Sequence, residues 1–178
     1  VEETDAETRV LPAARFDKLS NSENAELYAI FPYRHFVLGQ PAVEIGRATY
    51  AARRVKRTGG WSQDPIQAAM LGLTENAAAD TYHNFSTKHG GSRFPALWGP
   101  NFDWIPDQDH GGVAMIALQR MLMQYDGDRI LLLPAWPRAW NVDFKLHAPR
   151  QTTVHVVWRD QRLVSLEVQP PSRRNDVV

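Results

Sequence analysis

The 178 residues include no cysteine, so the fold has no disulfide and no thiolate metal site; export is left open by that absence. Net charge is missing as well. Twenty basic side chains balance twenty acidic ones, and no global field draws the chain to nucleic acid or to an anionic membrane. No apolar run approaches the roughly 20 residues that a helix crossing a bilayer needs. Gly-rich phosphate loops and dinucleotide fingerprints are absent. So is G-x-S-x-G, which leaves Ser62 and Ser92 without the setting of a hydrolase nucleophile. No helix carries two histidines at H-x-x-x-H spacing. Residues 1–9 have neither the basic nor the apolar region of a signal peptide. They read equally as the interior of a longer chain and as a trimmed terminus.

What is present is an ordinary globular composition, enough for one good core or for a small domain plus part of another. One stretch stands out. Trp98–Gly112 reads W-G-P-N-F-D-W-I-P-D-Q-D-H-G-G, and its prolines and glycines forbid a regular helix or a central strand across it. It gathers Asn101, Asp103, Asp107, Asp109 and His110 beside Trp98 and Trp104. Directly after it, V-A-M-I-A-L-Q-R-M-L-M-Q-Y is apolar almost all the way round, which predicts a helix buried on most of its surface. An acid-rich, aromatic loop on the end of an interior helix is a place where scaffolds present chemistry.

Along the chain, residues 1–22 read as an irregular lead-in. From Asn24 the pattern is helical: Asn24 is suited to cap, and Leu27, Ile30 and Phe31 share a face up to Pro32. A second helix is expected from Gln40-Pro41 to the stop Thr58-Gly59-Gly60. Ile45, Ala48, Ala51, Ala52 and Val55 form its stripe, with Arg47, Arg53, Arg54 and Lys56 facing away. Asp64-Pro65-Ile66-Gln67 predicts an acidic cap on a third helix that continues to about Phe85. The fourth covers about Gly112 to Tyr125, closed by Asp126-Gly127. Beyond Gly127 the period becomes two. Strands are expected at Arg129–Leu133 and Val142–Ala148, and as a hairpin of Thr152–Trp158 and Arg162–Val168 turning at Asp160-Gln161. Trp136, Trp140 and Trp158 are placed as seals between strands and helices. The tail, P-P-S-R-R-N-D, reads as a solvated end. Helices first and strands second make an α+β chain, not an alternating one.

Each candidate residue has a plainer reading beside the functional one. Asp103, Asp107 and Asp109 can position and deprotonate a water, but Asp in a Pro/Gly loop also caps helices or forms Asx-turns. Asp109, next to the helix, suits either role; Asp107 follows Ile-Pro and is harder to explain as a cap. A metal is not expected: the D-x-D-x-G fragment lacks the closing Glu of a calcium loop. Trp61, Trp98 and Trp104 can stack on the C–H faces of sugars, whereas a lone Trp more often locks a loop. Arg53, Arg54, Lys56 and Arg57 read as the wet face of a helix.

The order of these features resembles the C-terminal part of α-L-fucosidase-like glycoside hydrolases, family 95 and its relatives. The Q-I-D-[GA]-N-F-G-G signature of that family looks like Ile105 to Gly112, its L-L-P-A-L-P looks like Leu132 to Pro137, and its W-x-x-G-x-L looks like Trp158 to Leu163. The resemblance covers roughly residues 61–168. Asp109 stands where the family has Asn, and His110 where it has Phe. The resemblance implies a partial six-hairpin (α/α) barrel over residues 23–127 and a small antiparallel β-sheet or sandwich domain over 128–170, with 1–22 as lead-in and 171–178 as tail. The remainder of the barrel is expected from upstream chain.

By position in the motif, Asp107 inherits the role of the base that activates water in an inverting hydrolysis. Trp98, Asn101, Asp103, Trp104, Asp109, His110 and Trp61 are the expected contacts to a glycan. No cofactor, metal, nucleic acid or membrane span is expected, and the family implies a periplasmic or extracellular setting. The family's general acid is an upstream Glu that none of Glu23, Glu26, Glu44, Glu75 or Glu167 matches. Two other readings stay open: a non-catalytic carbohydrate-binding or structural module, and a hairpin-barrel polysaccharide lyase using Tyr82, His83 or His110 as base.

Overall fold

The computed structural model describes residues 2–3, 8–15, 22–56, 61–86 and 109–178, with only the backbone of 2–3 and 109–110. Their architecture is α+β, helices followed by small antiparallel sheets. A two-residue ladder, β1 (Glu2–Glu3) against β2 (Thr8–Arg9), lies within the lead-in.

The first expected helix is a short 3₁₀ turn, Ala25–Ala29. Asn24 does not cap it. Its side-chain amide instead donates to the Val55 carbonyl at 2.8 Å, and its side-chain oxygen accepts the Val55 N–H at 3.0 Å. A distant backbone pair has outcompeted the local cap, which ties this turn to the segment after α1 (Val43–Ala52).

Helix α1 corrects the expected stripe. Gly46, Ala48, Thr49 and Tyr50 are its buried residues, while Ala51 and Ala52 are exposed. The helix ends before Arg53, short of the glycine pair. Arg53, expected to face outward, is turned inward. Gly46 permits this packing, because a Cβ there would collide with the Phe36 carbonyl and lie 2.7 Å from Leu71 Cδ2.

The third expected helix is two helices, α2 (Asp64–Met70) and α3 (Thr74–Ser86). The break is a Schellman motif. Gly72 N–H bonds the Ala69 carbonyl at 3.1 Å, Leu73 N–H bonds the Ala68 carbonyl at 2.9 Å, and Gly72 has φ +71°. Only glycine takes that conformation without strain. The apolar period hides the stop, since Leu71 and Ala77 are both buried. Asp64 opens α2 as its first helical residue; Gln63 precedes it and makes no side-chain cap bond.

Helix α4 (Asp109–Leu122) starts and ends three residues earlier than expected. Met123–Asp126 forms β3 and pairs with β4 (Arg129–Leu132), Met123 opposite Leu132 and Asp126 opposite Arg129. Asp126-Gly127, expected as a helix stop, begins the hairpin turn, with Gly127 at φ +57°. Helix α4 packs on α2 and α3 through Val113, Ala114, Ala117 and Met121, but Met115 and Ile116 are 57% and 37% exposed. Burial on most of its surface is therefore corrected to burial on one face.

The second layer follows the two-residue period. Strands β5 (Val142–Ala148), β6 (Thr152–Arg159) and β7 (Arg162–Gln169) pair antiparallel in that order. Phe144, Ala148, Val154, Val156 and Val168 point inward. Asp160 and Gln161, φ 50° and 61°, make the two-residue turn, whose left-handed backbone matches the strand twist. The tail is not a solvated end. Its 3₁₀ turn, Pro171–Asp176, buries Arg173, which bonds Thr152 Oγ1 at 3.1 Å and the Asp128 carbonyl at 3.2 Å. Val177 then bridges to Ile130.

Two apolar cores result. One gathers Leu27, Ile30, Ile66, Met70, Leu71 and Met121 among the helices. The other gathers Leu122, Ile130, Phe144, Val154 and Val156 under the sheet. The end of α4 feeds both, and Trp136 packs against both, as expected of a seal. Gly46→Ala tests the close approach of α1: the added methyl should cost about 1–3 kcal/mol, read as a lower midpoint in urea unfolding with an unchanged slope. An unaltered midpoint would show that α1 can shift freely.

Candidate functional site

Trp98, Asn101, Asp103, Trp104 and Asp107 lie outside the described residues. Asp109 and His110 supply the first backbone turn of α4. The far end of that helix is anchored by Gln124, whose buried amide donates to the Ala69 carbonyl at 2.7 Å and the Arg120 carbonyl at 2.9 Å. Fourteen residues of helix place Asp109 about 20 Å along the axis from that junction. Trp61 is half-buried and borders a small cavity of about 60 Å³ with Tyr28, Ser62, Asp64 and Gln67. That cavity is water-sized. Ser62, Asp64 and Gln67 are all buried, and Gln67 Oε1 finds no hydrogen-bond partner among the described residues.

Behind Trp61 stands a group of charges that joins three helices. Arg53 Nε lies 2.6 Å from Asp64 Oδ1, with both side chains at most 10% exposed. Arg53 Nη1 also donates to the Tyr50 carbonyl at 2.7 Å, and its guanidinium carbon sits 3.7 Å from the Tyr50 ring centroid. Such a planar cation can bond in its plane and stack on its face at once. Burial raises the Tyr50 phenol well above its ordinary range, against the pull of Arg53.

Asp80, one element further on, approaches the same centre. Burial pushes its carboxyl up to about 6, and the charge of Asp64 adds to the rise; Arg53, His83 and the nearby Tyr50 hydroxyl oppose it. Two carboxyls share one arginine, so the less well paired of them keeps its proton longer. Asp80 is therefore a group that exchanges a proton close to neutrality.

Nothing in the local pattern announced this centre. Asp64 read as a helix cap and Arg53 as a solvated face, and no spacing links residue 53 to 64 or 80. The one local hint is Tyr50 lying three residues before Arg53, a helical spacing in the sequence.

A cavity of about 860 Å³ opens beside the cluster, lined by Glu44, Arg47, Tyr50, Arg53, Lys56 and Asn76. Arg47 is held there by the Leu71 carbonyl at 3.0 Å and by Glu44 at 2.7 Å. Among the described residues, no three His, Cys, Asp or Glu side chains stand close enough together to hold a metal ion. Nor is any helix among them long and apolar enough to cross a membrane.

No protein-family model matches the sequence, and no curated protein matches it.

Two measurements probe the cluster. Arg53→Met takes the partner cation away from the buried Asp64 carboxylate, so it should cost about 3–5 kcal/mol. The double variant Arg53→Met/Asp64→Leu should recover much of that loss; strict additivity of the two single effects would argue against a coupled pair. For Asp80 the folded carboxyl is raised from its ordinary 3.8 to about 6. Below pH 3.8 both states are protonated and the group contributes nothing. As pH rises to 6 the unfolded chain loses its proton first, so stability falls, and above 6 the full penalty remains. Asp80→Asn should flatten the decline between pH 4 and 6 and raise the melting temperature at pH 7.5 by about 2–4 °C. A variant with an undiminished slope would assign the decline to other groups.

Proposed function

We propose that the chain forms the C-terminal part of a glycoside hydrolase of the six-hairpin (α/α) type, in which Asp107 activates the water that attacks the anomeric carbon. The observation that carries this reading is the junction of the two layers. Leu132–Pro137, the segment with the more specific resemblance, leads from β4 to Trp136, and Trp136 packs against both cores. The motif thus coincides with the piece of chain that couples helices to strands. A second support is that the acid-rich stretch of sequence ends in the first turn of α4, a helix anchored on α2 and α3.

In this reading Trp98, Trp104 and Trp61 form walls for sugar rings, and Asn101, Asp103, Asp109 and His110 bind hydroxyls or orient Asp107. Inversion needs an acid about 6.5–9.5 Å from the base, on the other side of the scissile bond. That acid is assigned to upstream chain, together with the rest of the barrel.

The 178-residue chain alone is then expected to leave natural glycosides intact, while the protein with its upstream half hydrolyses them with inversion, visible as the first-formed anomer by NMR. Asp107→Asn in the longer protein should lower kcat by about 10²–10⁴-fold. Full activity of that variant would remove the base assignment. An unsaturated product absorbing in the ultraviolet would replace hydrolysis by elimination.

A further inference from the structure

The seam between helices and sheet contains a cavity of about 520 Å³, within the range of small-molecule sites. Its walls include Thr74 at the start of α3, Leu133, Trp136 and Arg138 after β4, and Trp158 and Leu163 from the last hairpin. Both indoles are pinned from within the protein. Trp136 Nε1 donates to the Trp140 carbonyl at 2.9 Å, and Trp158 Nε1 donates to the Arg138 carbonyl at 3.0 Å. The Trp140 ring braces Trp136 edge-on, with centroids 5.4 Å apart and planes at 83°. With their N–H groups satisfied, the rings have no polar demand left and their orientation is fixed before any ligand arrives.

Arg138 supplies the charge. Its side chain is exposed, and no described residue forms an ion pair with it. Among the described residues Arg138 carries the one charged side chain on the cavity wall, which Val178 also lines. Leu163, 43% exposed, extends the apolar wall at the lip.

The geometry points to a carbohydrate site built from these seam residues, none of them among the contacts assigned to the hydrolase reading, which takes a short glycan segment bearing a carboxylate. The C–H faces of the sugar pack on Trp136 and Trp158, its hydroxyls stay in water at the mouth, and its carboxylate meets Arg138 in a charge-assisted hydrogen bond. The choice of a sugar rests on the glycan-directed reading above; the cavity, the pinned rings and the arginine do not. Nothing is transformed at this site. It holds substrate.

The test is titration of the purified 178-residue chain with a uronic-acid trisaccharide and with a neutral trisaccharide of the same linkage, followed by the NMR signals of the indole N–H groups. The acidic sugar is expected to shift the Trp136 and Trp158 signals saturably and to bind more tightly than the neutral one. Arg138→Gln should weaken the acidic sugar by about tenfold and leave the neutral one unchanged. Leu163→Glu, a second exposed position, should weaken the acidic sugar by repulsion. Undisturbed indole signals, equal affinity for both sugars, or full affinity in Arg138→Gln would each overturn the proposal. So would binding of a simple aromatic carboxylate in place of the sugar. The two readings fail separately. Loss of hydrolysis on Asp107→Asn with no binding in the seam sinks only the seam site, whereas saturable binding in the seam of a protein that hydrolyses no glycan sinks only the hydrolase.

Discussion

A guanidinium cannot give up its charge to escape burial, so once Arg53 is inside it must have a carboxylate. Asp64 is that partner, and the constraint runs outward from the pair. It holds the end of α1 against the start of α2, closes the Tyr50 ring over the guanidinium, and brings Asp80 of α3 to the same centre. A buried pair of this kind is weak evidence for net stability, since desolvation offsets much of the attraction. Its clearer effect is on specificity. Any packing that separates α1 from α2 strands a charge, whereas apolar contacts between two alanine-rich helices would tolerate sliding. Asp80 bears the cost, kept near its protonated form by burial and by Asp64.

The second organising feature is the seam. Met121 and Leu122 are neighbours in sequence but belong to different cores, because successive residues in the last turn of α4 face different sides of the helix, just before the chain enters β3 at Met123. Trp136 bridges the same boundary, and Arg173 fastens the tail to β6 and to the β3–β4 turn. The layers are thus joined by side chains from three separate stretches. The same seam leaves two tryptophans facing an open cavity with their polar atoms satisfied.

Charge is used in two ways. At the Arg53–Asp64 pair it is buried, and it tunes the Asp80 carboxyl toward neutrality. On the sheet it is exposed: His155 meets Asp143 at 2.8 Å and Arg150 meets Asp128 at 2.6 Å at the surface, where solvent screens such pairs and leaves them little energetic weight.

Much of the fold was legible in the sequence because it is written in local periods. Alternation at Val142–Ala148 and the paired runs around Asp160-Gln161 set the sheet and its register, since side chains on a strand switch faces at every residue. The aromatic seal at Trp136 followed from composition and spacing, and so did the helical character of residues 64–86, though not its division into two helices. Helix limits were not so legible. At Leu71-Gly72-Leu73 the apolar rhythm continued through a Schellman stop, and at Met123 an apolar helix face became a strand because β4 offered a hydrogen-bonding partner. The loop was visible as a concentration of acids and aromatics, yet Arg53, Asp64 and Asp80 were not visible as a unit. A period records which face of an element is apolar, and no period records which distant charge will arrive there. The sequence by itself determined the kinds of element and their order; the tertiary structure alone decided which buried charges would meet, because burial makes a partner obligatory and only the packed chain supplies one.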